Sequence, residues 1–375
     1  MNLAPTPDQR AVMEQARRFL TEQVTRERRL AWDDEPAGCD SAFWRAVADL
    51  GWLGYGLPET NEGQGANLLE LGLLVEECGR AAAPARIFSA IAGGLALATL
   101  GSAAQRRRWL PAVARGEASV TLAVAEKDAL DEPAAFHTTL ERRAGALRLD
   151  GDKRFVAQAE QADVFLVLAR DGRGASALLV PRDTKGVKVS PLGTLAKDRQ
   201  GIVSFRDVVL PAVALAGKPG TAWPRWLALR TRLAMLLCAE AVGGAQAALD
   251  MTVAHVCERE QFGAKLGTFQ AVQQMAAVMA IDLEGARHLT HQALWLLAEG
   301  HKADREVAIA KAWTGRAYRD VTVLAHQLHG GAGYVVEHDL HRHTLRAKAA
   351  ELTYGSTEQW LEALADQLHL VPATR

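Results

Sequence analysis

The chain has 375 residues, of which 49% are hydrophobic, and its formal net charge is −1. This balance gives no basic field of the kind that nucleic-acid or membrane-surface binding requires, so neither partner is expected. A chain of this length and apolar content can bury a large core, and we expect two or three domains.

Residues 1–117 are predicted to form a helical domain. Apolar residues recur at about every fourth position after Pro7, and further helices are predicted at Leu69–Cys78, Ala85–Leu100 and Ala103–Ala114. Glycine-rich stretches around residues 51–65 interrupt this pattern with loop chemistry.

Residues 118–218 change to short apolar or alternating runs, which predicts a small β-barrel or sandwich. Turn signals such as Asp150-Gly151-Asp152 separate the runs. The runs are Val120–Val124, Ala146–Leu149, Val164–Leu168, Ala177–Val180, Val187–Val189 and Ile202–Val209. Residues 219–375 then show four long helical patterns, typical of a C-terminal four-helix bundle, so the protein as a whole is expected to be mainly α.

The cysteines indicate the redox environment. Cys39, Cys78, Cys238 and Cys257 show no paired spacing. Cys78 and Cys238 lie in apolar helical surroundings, which predicts small buried thiols rather than disulfides. The first residues carry no basic-then-apolar signal, and no apolar run approaches the length of a membrane span. These features favour a reducing cytoplasm.

Two segments near the C-terminus carry the strongest chemical signal. The first is Arg259–Gly263 (Arg-Glu-Gln-Phe-Gly), in which Arg259 is expected on a helix beside Phe262. The second is Gln327–Tyr334 (Gln-Leu-His-Gly-Gly-Ala-Gly-Tyr). A guanidinium offers paired donors to phosphate oxygens, and adjacent glycines let backbone amides approach a ligand closely. Taken singly, each segment also has a structural interpretation, as a surface ion pair and as a helix C-terminal cap.

In this order along the chain, the two segments resemble the acyl-CoA dehydrogenase family. The succession of helices, β-domain and helical bundle resembles the fold of that family over essentially the whole chain. The resemblance implies FAD as the cofactor, an acyl-CoA thioester as the substrate and an electron-transfer flavoprotein or similar acceptor. The cofactor-binding residues that it implies are Arg259, Phe262, Gln270, Gln327, Gly330, Gly331 and Thr357. Several of these contacts are made in the family across a subunit interface.

The contacts expected from the same subunit are poorer. In the family, the first β-strand usually runs into Thr-Glu-Pro and a glycine- or serine-rich loop, and another segment gives Trp-Ile-Thr beside the flavin ring. Here residues 125–128 read Ala-Glu-Lys-Asp, and residues 153–157 read Lys-Arg-Phe-Val-Ala. The second segment keeps an aromatic residue but loses the hydroxyl. By resemblance, the chain keeps the elements that reach a neighbour's FAD and has lost those that hold its own flavin ring.

The chain also departs from the family pattern at the catalytic base. Family chemistry requires a carboxylate close to the α-carbon of the thioester, and the resemblance places it at Gly355 or at Leu233, neither of which can serve. Glu240 is the remaining candidate, because it lies on an apolar helical stripe where buried carboxylates are often functional. It is roughly seven residues beyond Leu233, about 10 Å along a helix, which is too far for the same substrate pose. Glu240 therefore competes with its interpretation as a paired core glutamate, and Glu126 and Glu351 are weaker candidates.

No metal site is predicted, because the histidine-rich segment His338–His343 resembles a family segment without a metal role.

Three functions remain open at this stage. The first is a subunit of a heteromeric acyl-CoA dehydrogenase whose partner supplies the base, as in branches that act on bulky acyl-CoA such as steroid side chains. The second is a homo-oligomeric enzyme, a dimer or tetramer, that uses Glu240. The third is a flavin-poor structural or interaction protein.

Overall fold

The computed structural model of the protein describes residues 4–127, 133–143 and 145–370. The chain divides into two compact units. The helical unit consists of Met1–Arg26, Asn67–Ala83 and Thr231–Arg375, and the sheet unit of Glu27–Ala66 and Pro84–Arg230. The predicted three-domain boundaries (1–117, 118–218 and 219–375) divide the chain differently and stay a prediction.

The order of elements is helices, then strands, then helices. The helices are α1 (Pro7–Gln23), α2 (Arg26–Asp34), α3 (Ser41–Asp49), α4 (Leu68–Arg80), α5 (Ala85–Leu100), α6 (Ala103–Ala114), α7 (Ala222–Glu258), α8 (Gln270–Ala298), α9 (Asp304–His329), α10 (Leu340–Leu352) and α11 (Thr357–Gln367). The strands are β1 (Val120–Ala123), β2 (Thr139–Arg143), β3 (Ala146–Ala157), β4 (Val164–Asp171), β5 (Gly174–Pro181), β6 (Val187–Leu192), β7 (Gln200–Leu210), β8 (Leu215–Ala216), β9 (Glu260–Gln261) and β10 (Ala264–Lys265). This order confirms the predicted mainly α fold with a central β-domain and a C-terminal helical bundle.

The sheet unit is built around one eight-stranded sheet. Its strands lie in the order β6-β7-β3-β2-β4-β5-β8, and β1 pairs with β4 in parallel. Strands β4 and β5 are buried along most of their length, which explains their continuous apolar sequence. The sequence pattern missed β2, because Leu140 is its only fully buried residue and its last three residues are exposed.

The helical unit packs α8, α9 and α10 against the C-terminal part of α7. Two glycines bring α4 against the middle of α7: a Cβ on Gly79 would collide with the backbone of Glu240, and one on Gly243 with the backbone of Glu76. Backbone contact of this kind is possible only without a side chain. It fixes Glu240 at the crossing of the two helices.

Among the described residues, α7 is the one helix that is both long and apolar enough to cross a membrane. It contains an 18-residue window of mean hydropathy 1.3, and 72% of that window is buried inside the protein. Length and composition alone would permit a membrane span, but this burial is that of a core helix. Cys78 and Cys238 are buried free thiols, as predicted.

Candidate functional site

The Arg259–Gly263 segment forms a tight hairpin, because α7 ends at Glu258 and β9 pairs with β10. The two residues of the turn, Phe262 and Gly263, have φ of 57° and 79°, as a two-residue type I′ turn requires. The expectation that Arg259 lies on the helix is therefore wrong. The antiparallel pairing of β9 with β10 turns the chain back immediately after the helix ends.

The hairpin is held by its backbone and presents its side chains outward. The Arg259 N–H donates to His255 O (2.8 Å), and the Arg259 carbonyl accepts from Leu266 N–H (2.9 Å). The Arg259 side chain is exposed. Phe262 is 92% exposed and meets the edge of Phe269 with ring centroids 6.4 Å apart. An aromatic ring so exposed on a fixed hairpin is available to a ligand or a partner.

The second segment lies at the C-terminal end of α9. Gln327 is exposed, whereas His326 and His329 on either side of it are buried. Gly330 has φ 56° and ψ −142°, a conformation that essentially only glycine adopts. A Cβ at Gly330 or Gly331 would meet nothing within 4 Å. Open space in front of two adjacent glycines leaves their backbone accessible to another molecule.

A pair of histidines brings the two segments together. The rings of His255, in the last turn of α7, and His329, at the end of α9, are stacked with centroids 4.4 Å apart and planes at 24°. Neither residue was singled out from the sequence, because nothing local relates the end of α7 to the end of α9. The exposed residues joined in this way form the hairpin–glycine surface: Arg259, Phe262, Gln327, Gly330 and Gly331.

Two predicted cofactor residues lie at other places in the helical unit. Gln270 is exposed at the first position of α8, directly after Phe269. Thr357 is the first residue of α11, and its Oγ1 is buried without a hydrogen-bond partner among the described residues. A Cβ on Gly315 of α9 would lie 3.3 Å from that oxygen. At 1.5 Å per residue, Gly315 is about 20 Å along α9 from Gly330, so the structure does not join Thr357 to the hairpin–glycine surface.

The two positions that the resemblance implies for the base carry Gly355 and Leu233, which have no carboxylate. Gly355 has φ 112°, and a Cβ on it would lie 2.5 Å from Trp360 Nε1. Its carbonyl accepts from the buried Lys311 Nζ at 3.0 Å. Leu233 is fully buried. The backbone at Gly355, held by Lys311 and faced by Trp360, accommodates no side chain.

Glu240 lies on α7, between α4 and α10, and is paired with Arg346. Its Oε1 is 3.7 Å from Arg346 Nη1, and its side chain is 20% exposed. Arg346 also donates to the carbonyl of Ala83 (2.7 Å), which fixes the guanidinium. Burial, and then the Glu240 charge, raise the pKa of the Tyr318 and Tyr354 hydroxyls. A carboxylate paired with a guanidinium that is itself fixed fits the paired core glutamate better than the catalytic base.

In the sheet unit, the segment after β1 is anchored by a buried ion pair. Lys153 Nζ lies 2.6 Å from Glu126 Oε1, with side chains 0% and 2% exposed. Lys153 also donates to Val124 O (3.0 Å), and Glu126 accepts from the backbone N–H groups of His137 (2.6 Å) and Thr138 (3.1 Å). Burial lowers the pKa of Lys153 to about 8. Glu126 is therefore a structural anchor, which the sequence could not show because its partner lies on β3.

The residues that would face a flavin ring by resemblance lie beside this pair. The Ala125 carbonyl accepts from Arg154 N–H (2.8 Å), and the Ala157 carbonyl accepts from Thr121 Oγ1 (2.6 Å). Phe155 is 61% exposed at φ 53°, within an irregularity of the β3–β7 register. Asp128, the last residue of the first segment, lies outside the described residues. In the described part of these segments, Phe155 is the exposed aromatic residue, and the Thr121 hydroxyl is engaged within the fold.

Across residues 4–127, 133–143 and 145–370, no group of three or more His, Cys, Asp or Glu side chains has an arrangement that could hold a metal ion. His329, at the end of α9, makes ring contacts with His255 and His338.

Comparison with known proteins places these features in a family. Sequence profiles of the acyl-CoA dehydrogenase N-terminal, middle and C-terminal domains match residues 6–117, 121–208 and 223–369. The chain is 29% identical to a probable acyl-CoA dehydrogenase, YngJ, of Bacillus subtilis (strain 168), over 98% of this chain and 100% of that protein.

Two solved structures are similar over nearly their full length. One is the ChsE4-ChsE5 complex from Mycobacterium tuberculosis, with a TM-score of 0.91, 28% identity and 100% coverage of both chains. The other is the Tcur3481-Tcur3483 steroid ACAD G363A variant, with a TM-score of 0.87, 31% identity and coverage of 98% of this chain and 99% of that chain. With three successive domain profiles and the same fold from end to end, the chain belongs to the acyl-CoA dehydrogenase family of FAD-dependent oxidoreductases.

Proposed function

We propose that this chain takes part in the α,β-dehydrogenation of an acyl-CoA thioester as one subunit of a heteromer. In this proposal, its hairpin–glycine surface contacts FAD that is bound mainly by a partner subunit of the same family, and the partner supplies the catalytic base. The observation that carries the proposal is a contrast within the chain. The hairpin–glycine surface is exposed, whereas the positions that the resemblance gives for the base carry Gly355 and Leu233.

The residues of the hairpin–glycine surface fit the adenosine diphosphate part of FAD. The Arg259 guanidinium can pair with phosphate oxygens, since the backbone that carries it is fixed and its side chain is exposed. Gly330 and Gly331 leave open space for a ligand to reach the backbone. The exposed Phe262 ring provides a flat apolar face.

The other parts of the reaction divide between the subunits. When bound, FAD supplies the acceptor for the hydride that leaves the β-carbon of the substrate. In this chain, Lys153 and Glu126 hold the segment after β1 in place, but Ala125 and Ala157 offer no side-chain hydroxyl to a flavin ring. Abstraction of the α-proton then depends on a carboxylate of the partner.

Substrate and acceptor are inferred from the relatives. One similar structure is described as a steroid ACAD and the other as a complex of two named components. A bulky acyl-CoA, such as a steroid side chain, is therefore the substrate class that we propose, with an electron-transfer flavoprotein as the acceptor and a cytoplasmic location.

A visible absorption spectrum tests the proposal. Purified alone, the chain should hold FAD weakly or at less than one per chain, because both halves of any interface would then be of the same incomplete type. Mixing with a homologue that carries glutamate at the position of Leu233 should restore yellow colour and turnover together. The proposal fails if the lone protein purifies with one FAD per chain and is reduced rapidly by an acyl-CoA.

A homo-oligomeric enzyme that uses Glu240 is the second candidate. Its partial exposure favours this role, and its ion pair with Arg346 opposes it. Substitution of Glu240 separates the two functions.

A further inference from the structure

Four histidines cluster around the end of α9: His255, His326, His329 and His338. His329 stacks on His255 at 4.4 Å and meets the edge of His338 at 4.7 Å. His326, one turn earlier on α9, stacks on Tyr334 at 4.5 Å. These rings connect the end of α7, the end of α9 and the segment that leads into α10.

The hydrogen bonds define the protonation of two of these rings. His329 Nδ1 lies 2.8 Å from the Ala325 carbonyl, which can only accept, so this nitrogen carries the proton. The opposite nitrogen, Nε2, is buried without a hydrogen-bond partner among the described residues. His338 Nδ1 accepts from the Leu340 N–H (3.2 Å), so the proton of its neutral ring is on Nε2. A second proton on the His338 ring would break its hydrogen bond with Leu340.

Burial, followed by the neighbouring imidazoles, lowers the pKa of His255, His326 and His338. The other charged or titratable groups that act on them are Glu258 and Arg259 around His255, and Asp339 and His341 around His338. Asp339 is itself paired with Arg342 (3.5 Å). The two nearby carboxylates thus offset only part of the effect, and the neutral ring is favoured at His255, His326 and His338.

We propose that the stacked pair His255–His329 positions the hairpin and the glycine segment relative to each other, and that proton uptake by the histidine cluster separates them. The inference rests on the proposed function for its biological meaning, since the pair holds the two halves of one FAD-contacting surface. His255 and His329 are positioning residues: neither contacts the ligand in this proposal, and each holds the segment that does.

The direction of the pH effect follows from the lowered pKa values. A histidine whose pKa in the folded protein lies below its ordinary value of 6.5 binds fewer protons folded than open. Local stability therefore falls as the pH drops below about 6.5 and is regained above it. The hairpin–glycine surface is assembled at neutral pH and separates in acid.

Hydrogen exchange on the lone, flavin-free chain tests this inference. The amides of Arg259, Leu266 and Gly330 report on the two segments, because each donates a backbone hydrogen bond there. Exchange should be measured between about pH 7.5 and pH 5.5, and each rate should be corrected for the intrinsic exchange rate at that pH. Protection of these amides should then fall on acidification by up to about tenfold per pH unit for each proton taken up on opening.

Variants at one position separate stacking from titration. His255→Phe keeps a ring against His329 but cannot be protonated, so protection should persist and its pH dependence should shrink. His255→Ala removes both properties, and protection should be low at every pH. His288→Ala is the control, since His288 is an exposed histidine of α8 outside the cluster, and it should behave like the unchanged protein.

The inference would be overturned if amide protection in the unchanged protein did not depend on pH. It would also be overturned if protection in His255→Phe kept the full pH dependence. Because no flavin or partner is present in this measurement, its outcome is separate from that of the proposed function. The proposed function fails instead if flavin retention with a partner subunit is the same in Arg259→Ala and in the unchanged chain.

Discussion

The hairpin–glycine surface and the segments beside β3 use their polar groups in opposite ways. On the hairpin–glycine surface, the backbone is fixed and the arginine, glutamine and phenylalanine side chains are exposed. Beside β3, Glu126, Lys153 and Thr121 are buried and bonded within the fold. Polar groups that are buried and bonded within the fold contribute to its stability, whereas exposed groups on a fixed backbone are available to a ligand. The two regions should therefore respond to substitution in different measurements.

Removing Lys153 should give the largest effect on stability. Lys153→Met leaves the Glu126 carboxylate buried without its partner, which costs about 3–5 kcal/mol in comparable cases. Urea unfolding measures the loss. The double variant Lys153→Met with Glu126→Gln should recover part of it, and Lys188→Met, at an exposed position of β6, should change little. Equal free energies of unfolding for Lys153→Met and Lys188→Met would show that the ion pair does not stabilise the fold.

Arg259→Ala should weaken flavin retention and leave folding intact. A charge-assisted contact with phosphate contributes roughly 1.5–3 kcal/mol, and the exposed side chain holds nothing in the fold that its loss would expose. The flavin-to-protein ratio after gel filtration with a partner subunit measures the effect. Arg107→Ala, at an exposed position of α6, is the matched control. An unchanged ratio in Arg259→Ala would exclude the phosphate contact.

Substitutions at the two adjacent glycines distinguish the need for an unusual backbone conformation from the need for open space. Gly330→Ala forces a residue with a Cβ into φ 56° and should cost about 1–3 kcal/mol of stability. Gly331→Ala has no positive φ to maintain and should fold normally. If FAD approaches both glycines, both variants should lose flavin in the presence of a partner. Normal flavin retention in Gly331→Ala would show that the open space there is not used.

Glu240→Gln should have the smallest effect on catalysis. Since Glu240 is paired with Arg346 and far along α7 from Leu233, substrate-dependent bleaching of the flavin should survive in the heteromer. Stopped-flow reduction measures it. General-base residues contribute typically about 10²–10⁴-fold, so a thousandfold loss with folding and FAD unchanged would identify Glu240 as the base.

The sequence predicted those parts of the fold that depend on local burial. Helices α5 and α6 were predicted at their observed bounds, because apolar spacing is a local signal. Strand β2 was missed, since a strand with one fully buried residue has no alternation to detect. The hairpin at Phe262 was missed because Gly, Asn and Asp are the residues that normally signal a left-handed turn position, and phenylalanine is not one of them.

By itself, the sequence determined the family, the burial of Cys78 and Cys238 and the absence of a carboxylate at two expected positions. These properties follow from residue identity, order and periodicity. Only the tertiary structure decided that Glu126 pairs with Lys153, that Glu240 pairs with Arg346 and that His255 stacks on His329. Each of these pairs joins residues from different elements, and the energy of a buried charge or ring depends on the group that packing brings against it.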